Sequence, residues 1–150
     1  AAGARIARTV LERLRYPVRL RRHVEALVEA HHFRLDGVID AAAARRFLAR
    51  HGDDLAFDLL LLKEADLAAK RAGDDEYAAL RSLRRLVEQE RSSPHRLADL
   101  AVGGDDLLEL GFAEGPELGR ALRALLDRVV EDPSANTREE LLARAREART

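Results

Sequence analysis

The chain has 150 residues, 47% of them apolar and 35% charged, no cysteine, and a formal net charge of −1. That length suits one compact core with a small appendage, and the missing thiols exclude both a disulfide framework and a thiolate metal site. Ala, Leu, Arg and Glu dominate while β-branched and aromatic residues are scarce, which predicts an all-α protein; near-neutrality removes any global pull toward nucleic acid.

The first helix is expected over Ala2 to Arg15, where Ile6, Val10, Leu11 and Leu14 recur at helical spacing, and Tyr16-Pro17 interrupts it because a residue before proline disfavours the α region. Pro17 suits the first turn of a second helix with Leu20, Val24, Leu27 and Val28 on its inner face, ending near His31-His32, so that the two form an antiparallel hairpin. Asp36-Gly37 signals a turn, and Asp40 is a plausible N-cap for a helix that buries Ala43, Ala44, Phe47 and Leu48 and stops at His51-Gly52. Asp53 or Asp54 then caps the most apolar segment, Leu55 to Ala69, whose core positions are read as Leu55, Leu59, Leu62 and Leu67.

After Gly73, Asp74-Asp75 opens a long helix with Leu80, Leu83 and Val87 as its inner stripe, flanked by Tyr77 and Leu86. Ser92-Ser93-Pro94 ends it and marks the expected boundary between a helical body, 1–93, and a tail, 94–150. The tail is punctuated by Gly103-Gly104, Gly111 and Gly115-Pro116, continues in a helix with Leu118, Leu122, Leu125 and Val129 inward, stops at Asp132-Pro133, and restarts at a Thr137/Glu140 capping box that leads to Leu141, Leu142 and Ala145. The architecture expected is an irregular helical bundle with a small C-terminal helical tail subdomain.

No apolar run approaches the roughly 18 residues that cross a bilayer, so a soluble, cytoplasmic protein is expected. There is no basic stretch leading into an apolar one at the start, and Ala1 in place of Met points to a fragment with sequence upstream. Charge is uneven: residues 1–50 carry 11 arginines against five acids, whereas the remaining two thirds are acidic on balance. A basic face toward the N-terminal third is one expectation, ordinary solvated surface the other.

The residues that resemble parts of a metal site are His31, His32 and Asp66, with His23 and His51 as outlying possibilities. A His-Asp phosphohydrolase needs several such ligands converging on a cation that activates water, and no adjacent His-Asp pair exists here. Structural roles compete: imidazoles suit a helix end, and a carboxylate in an apolar helix seeks an Arg or His partner. Nucleotidyl transfer would need metal-binding carboxylates beside a strand and a phosphate-binding turn, and neither is present. The glycines near 103 and 115 lack a Gly-Lys-Ser/Thr ending, and Glu114 and Glu117 argue against an anion at Gly115-Pro116. No catalytic residue is therefore assigned. Arginines remain: Arg81, Arg84 and Arg85 on one helix and Arg45-Arg46 on another are candidates to track a phosphate backbone. Pairing within the helix, of Arg84 or Arg85 with Glu88, is the alternative.

Two stretches resemble the C-terminal helical region of the CCA-adding enzyme and poly(A) polymerase-like family of nucleotidyltransferases. One is Leu100-Ala101-Val102-Gly103-Gly104-Asp105-Asp106-Leu107-Leu108-Glu109-Leu110-Gly111, then Gly115-Pro116-Glu117-Leu118-Gly119, then Asn136-Thr137-Arg138-Glu139-Glu140-Leu141. The other runs from Gly3-Ala4 through Leu11, Leu14-Arg15, Leu27-Val28 and His32 to Arg45-Arg46-Phe47 and Glu64-Ala65-Asp66, and is similar to the later part of a His-Asp-like helical region. The resemblance implies tRNA processing by CCA addition. It implies tRNA as partner, bound mostly through backbone and shape, and a catalytic head upstream or in a separate chain. Mg2+ and CTP or ATP would belong to that head, leaving this chain without a cofactor. Two alternatives stand beside it. A remnant of a metal phosphohydrolase would use His31, His32 and Asp66, and a helical interaction module would pair with a second copy of the chain as a homodimer.

Overall fold

Eight α-helices and two short 3-10 turns make up the computed structural model, which describes residues 2–149, and there is no strand among the described residues. The helices are α1 (Ala2–Arg13), α2 (Val18–Ala30), α3 (Ala41–His51), α4 (Asp53–Lys70), α5 (Asp74–Glu90), α6 (Gly104–Glu109), α7 (Pro116–Glu131) and α8 (Arg138–Arg149). The all-α reading is met.

Three helices end in the same hydrogen-bonded device. The amides of Arg15 and Tyr16 donate to the carbonyls of Glu12 and Leu11, those of Arg71 and Ala72 to Ala68 and Leu67, and those of Gly111 and Phe112 to Leu108 and Leu107. Each is a Schellman motif, which needs one residue in the left-handed region and usually takes glycine there. Gly111 fits at φ 88°, but Arg15 and Arg71 hold φ 57° and 52°, a conformation that crowds an L side chain.

The chain forms two compact units, residues 2–39 with 51–86 and residues 40–50 with 87–149. This division differs from 1–93 and 94–150, because the segment Asp40–Arg50 and the end of α5 group with the tail. In the first unit α1 and α2 are an antiparallel hairpin: a Cβ on Gly3 would lie 3.3 Å from Val28, and Arg21 meets Glu12 at 3.0 Å. Ala4, Ala56, Leu59, Leu60, Leu67, Leu80 and Leu83 are buried. Ile6 (65% exposed), Val10 and Leu14 instead leave an apolar stripe facing solvent, and Leu20 and Leu62, expected inside, are exposed too. Helical periodicity identifies a face but not whether a neighbour covers it.

In the second unit Val102, Leu107, Phe112, Leu125, Val129, Leu141 and Ala145 form one buried cluster, bordered by Leu100, Leu118, Leu122 and Leu142. Each fully buried leucine contributes about 1.5–3 kcal/mol of transfer free energy. Three of these seven residues, Val102, Leu107 and Phe112, come from the glycine-punctuated stretch, whose segments are too short for a period to show.

Candidate nucleic-acid interface

The polar residues that carry the family resemblance are spent on the tail's own fold. Asn136 is the clearest case: its amide nitrogen donates to the Asp99 carbonyl and its amide oxygen accepts from the Ala101 amide, both at 2.8 Å. One carboxamide thus satisfies an acceptor and a donor where the short 3-10 turn Leu97–Asp99 ends. Thr137 accepts from the Glu140 amide at 3.3 Å, as its capping position predicts. Asp106 accepts from the Gly103 amide at 2.7 Å and pairs with Arg138, and these two contacts, in that order, hold its carboxyl below the usual range. Asp99 accepts from the amides of His95 and Arg96 at 3.1 and 2.9 Å. At the end of α6, the Gly111 carbonyl receives the Arg149 guanidinium at 2.9 Å, and a Cβ on Gly111 would meet that group at 2.1 Å.

The arginines proposed from sequence divide. Arg45 is turned inside: with only 8% of its side chain exposed, it donates to the carbonyls of Val130 (2.6 Å) and Glu131 (3.1 Å) and to the Glu90 carboxylate (2.8 Å). It caps the C-terminal end of α7, where orphan carbonyls and the helix dipole favour a cation, and we remove it from the contact set for that reason. Burial pulls the Glu90 pKa up, and hydrogen bonds from Arg45 and Ser93 with the Arg45 charge pull it down further, so it ends below its ordinary value. Arg46 is exposed and pairs with Glu131 at 2.6 Å. Arg81, Arg84 and Arg85 are all exposed on α5. Arg84 reaches Glu64 on α4 at 3.1 Å rather than Glu88; such a half-exposed pair contributes at most about 1 kcal/mol and yields easily to a phosphate.

A further set of arginines lies within the basic N-terminal third. From Arg13 to Arg22 there are five arginines and no acid, folded into the turn between α1 and α2. Arg21 is held by Glu12, but Arg13, Arg15, Arg19 and Arg22 are exposed and make no ion pair among the described residues. The signal was present as a local run; the proline break at its centre obscured that both sides would meet at one hairpin end.

The metal candidates come near one another, His32 and Asp66 lining one cleft with Lys63 and Lys70, without assembling a ligand set among the described residues. His31 Nδ1 bonds the Val28 carbonyl at 2.7 Å and its ring lies 3.7 Å from that of His32. Asp66 pairs with Lys70 at 2.8 Å, a hydrogen bond that is the main cause of its lowered pKa. His23 meets Asp58 at 2.6 Å, and His51 lies at the end of α3. Among the described residues no group of three or more His, Cys, Asp or Glu could hold a metal ion.

Strand-free among the described residues, with a tail knit by Gly103, Asp106, Gly111 and Asn136, the chain is similar to the C-terminal region of the CCA-adding enzyme family. The chain belongs to the family described as tRNA nucleotidyltransferase domain 2, whose model matches residues 3–145. It is 39% identical over 141 residues to the CC-adding tRNA nucleotidyltransferase of Thermus thermophilus, covering 94% of this chain and 31% of that one. It is 33% identical over 129 residues to the A-adding tRNA nucleotidyltransferase of Deinococcus radiodurans (83% and 29%). To the CCA-adding enzyme of Streptococcus thermophilus it is 30% identical over 145 residues (91% and 31%). The chain spans less than a third of the length of these curated relatives. No solved structure matches it.

Proposed function

We propose that the chain is the tRNA-binding helical part of a CCA-adding-type nucleotidyltransferase, and that it positions tRNA for a catalytic head carried upstream or by another chain. One observation carries this reading. Relatives named for adding CC, A and CCA all align with this same stretch. A region shared among enzymes named for different added nucleotides is indifferent to which nucleotide is added, and this supports a role toward the tRNA end of the reaction. The polar motif residues of the tail, being committed to internal bonds, support a role in shape and rigidity. Contact with RNA then falls to exposed arginines such as Arg46, Arg81, Arg84 and Arg85, acting on backbone phosphates. Metal and nucleoside triphosphate would be held by the head, and the cytoplasm is the compartment this role assigns. Among the described residues no helix is long and apolar enough to cross a membrane.

The test is binding of whole tRNA across a salt series, beside an unstructured RNA of equal length. Preferential tRNA binding that weakens steeply with salt is the expected result, with a log–log slope of about −0.7 to −0.9 per phosphate neutralised. Equal binding of both RNAs, or none, would overturn the reading. A second reading, a helical interaction module, is favoured by the exposed Ile6, Val10 and Leu14 stripe; salt-independent self-association without tRNA binding would establish it.

A further inference from the structure

We infer that the turn between α1 and α2 is a distinct contact site for the phosphate backbone of the tRNA, built on Arg13, Arg15, Arg19 and Arg22. The inference rests on the tRNA-binding reading and adds a surface to it. Three observations converge. First, these four guanidinium groups are exposed, and none makes an ion pair among the described residues. Other cations of the first helices are engaged: Arg8 faces Glu12 and Glu25 at 3.5 and 3.7 Å, and Arg21 pairs with Glu12. Unpaired arginines at one hairpin end repel one another and are relieved by an anion.

Second, Arg15 occupies the left-handed position of its Schellman motif at φ 57°, where glycine would be unstrained. Strain of this kind gathers at binding sites, and Arg71, which holds the same conformation at the end of α4, is the internal control for it. Third, Tyr16 follows Arg15 in the chain with 44% of its surface exposed, and an exposed aromatic ring suits RNA, whose unpaired bases stack on such rings. The first turn of α2 adds no acidic residue. Of the carboxylates near this end, Glu12 is taken by Arg21 at 3.0 Å and lines a small cleft with Arg22 and Glu25, and Asp54 and Asp58 of α4 line a cleft of about 840 Å3 with Arg19, Arg22 and His23. Asp58 already has His23 as partner at 2.6 Å, and neither Arg19 nor Arg22 makes an ion pair with either carboxylate among the described residues.

The test pairs two substitutions of the same backbone position. Arg15→Gly and Arg71→Gly each remove one positive charge and one left-handed arginine, and each is expected to raise Tm by roughly 2–4 °C. Arg15→Gly should weaken tRNA binding about 3- to 10-fold and make the salt slope shallower by nearly one unit, whereas Arg71→Gly should leave both unchanged. Arg13→Gln with Arg19→Gln and Arg22→Gln should weaken binding at least 30-fold. If wild type binds tRNA and the Arg15 and triple variants bind as wild type does, the site is overturned while the tRNA-binding reading stands. Equal loss in the Arg15 and Arg71 variants reveals general charge attraction and also overturns it. If wild type fails to bind tRNA at all, both fall.

Discussion

Replacing Arg45 by alanine tests whether this residue is a clamp or an RNA contact. In the wild type its guanidinium satisfies the carbonyls of Val130 and Glu131 and the Glu90 carboxylate, with distances of 2.6–3.1 Å. Removing one partner of a buried ion pair costs about 3–5 kcal/mol, because the other charge is left without compensation. Here Glu90 keeps the Ser93 hydroxyl at 2.8 Å and is 18% exposed, so water relieves it in part. The two carbonyls at the end of α7 lose a charged donor, and the fall in stability should come to about 3–4 kcal/mol. Against a total of roughly 5–15 kcal/mol for a folded domain, that is a large fraction. The chain has no tryptophan, so the loss is best read by urea titration in far-ultraviolet circular dichroism, with hydrogen exchange of peptides from 87–149 to locate it. Arg45→Ala combined with Glu90→Ala should recover about 1 kcal/mol or more, since no orphan carboxylate remains. A stability change under about 1 kcal/mol together with a tenfold loss of tRNA affinity would refute the clamp and return Arg45 to the RNA surface.

Other expectations follow from the same contacts. Asn136→Ala should cost about 2 kcal/mol by stranding the Asp99 carbonyl and the Ala101 amide, and should speed exchange of the Ala101 amide; unchanged protection there would show that the carboxamide is dispensable. Glu90, Asp99 and Asp106 have folded pKa values below their ordinary ones. Their contribution is therefore full above the unfolded pKa of roughly 4 and is lost as pH falls through the folded values. Acid titration should unfold the second unit in that window, and Glu90→Gln should flatten the curve. Reversing Arg81, Arg84 and Arg85 to Glu should leave the helical signal near wild type and weaken tRNA binding at least tenfold; unchanged affinity would remove α5 from the interface.

The sequence made the long helices legible because capping residues and apolar periodicity agree there. Asp40, for instance, does accept from the Ala43 amide, at 2.7 Å. Burial was less legible. Ile6, Val10 and Leu14 have the spacing of a core face yet look outward, and Val102, Leu107 and Phe112 pack inside from segments too short to have a period. The candidate interface shows the same limit. Arg45 and Arg46 are adjacent and chemically alike, but one step along a helix turns one into the α7 cap and leaves the other at the surface. Only long-range packing tells them apart, as when Val130 and Glu131, 85 and 86 residues away, supply acceptors. Asn136 was noticed as part of a family pattern, but its two hydrogen bonds depend on where residues 99–101 pass, which no local rule specifies.

The single asparagine of this chain is the residue that closes the tail. With one Asn, one Gln and neither Cys nor Met, the chain carries few of the side chains that degrade chemically on heating. Slow deamidation of Asn136 would replace its donating nitrogen with a carboxylate oxygen and set that charge against the Asp99 carbonyl. Ageing of the tail at this position would then convert a self-complementary lock into a repulsive contact that refolding cannot reverse.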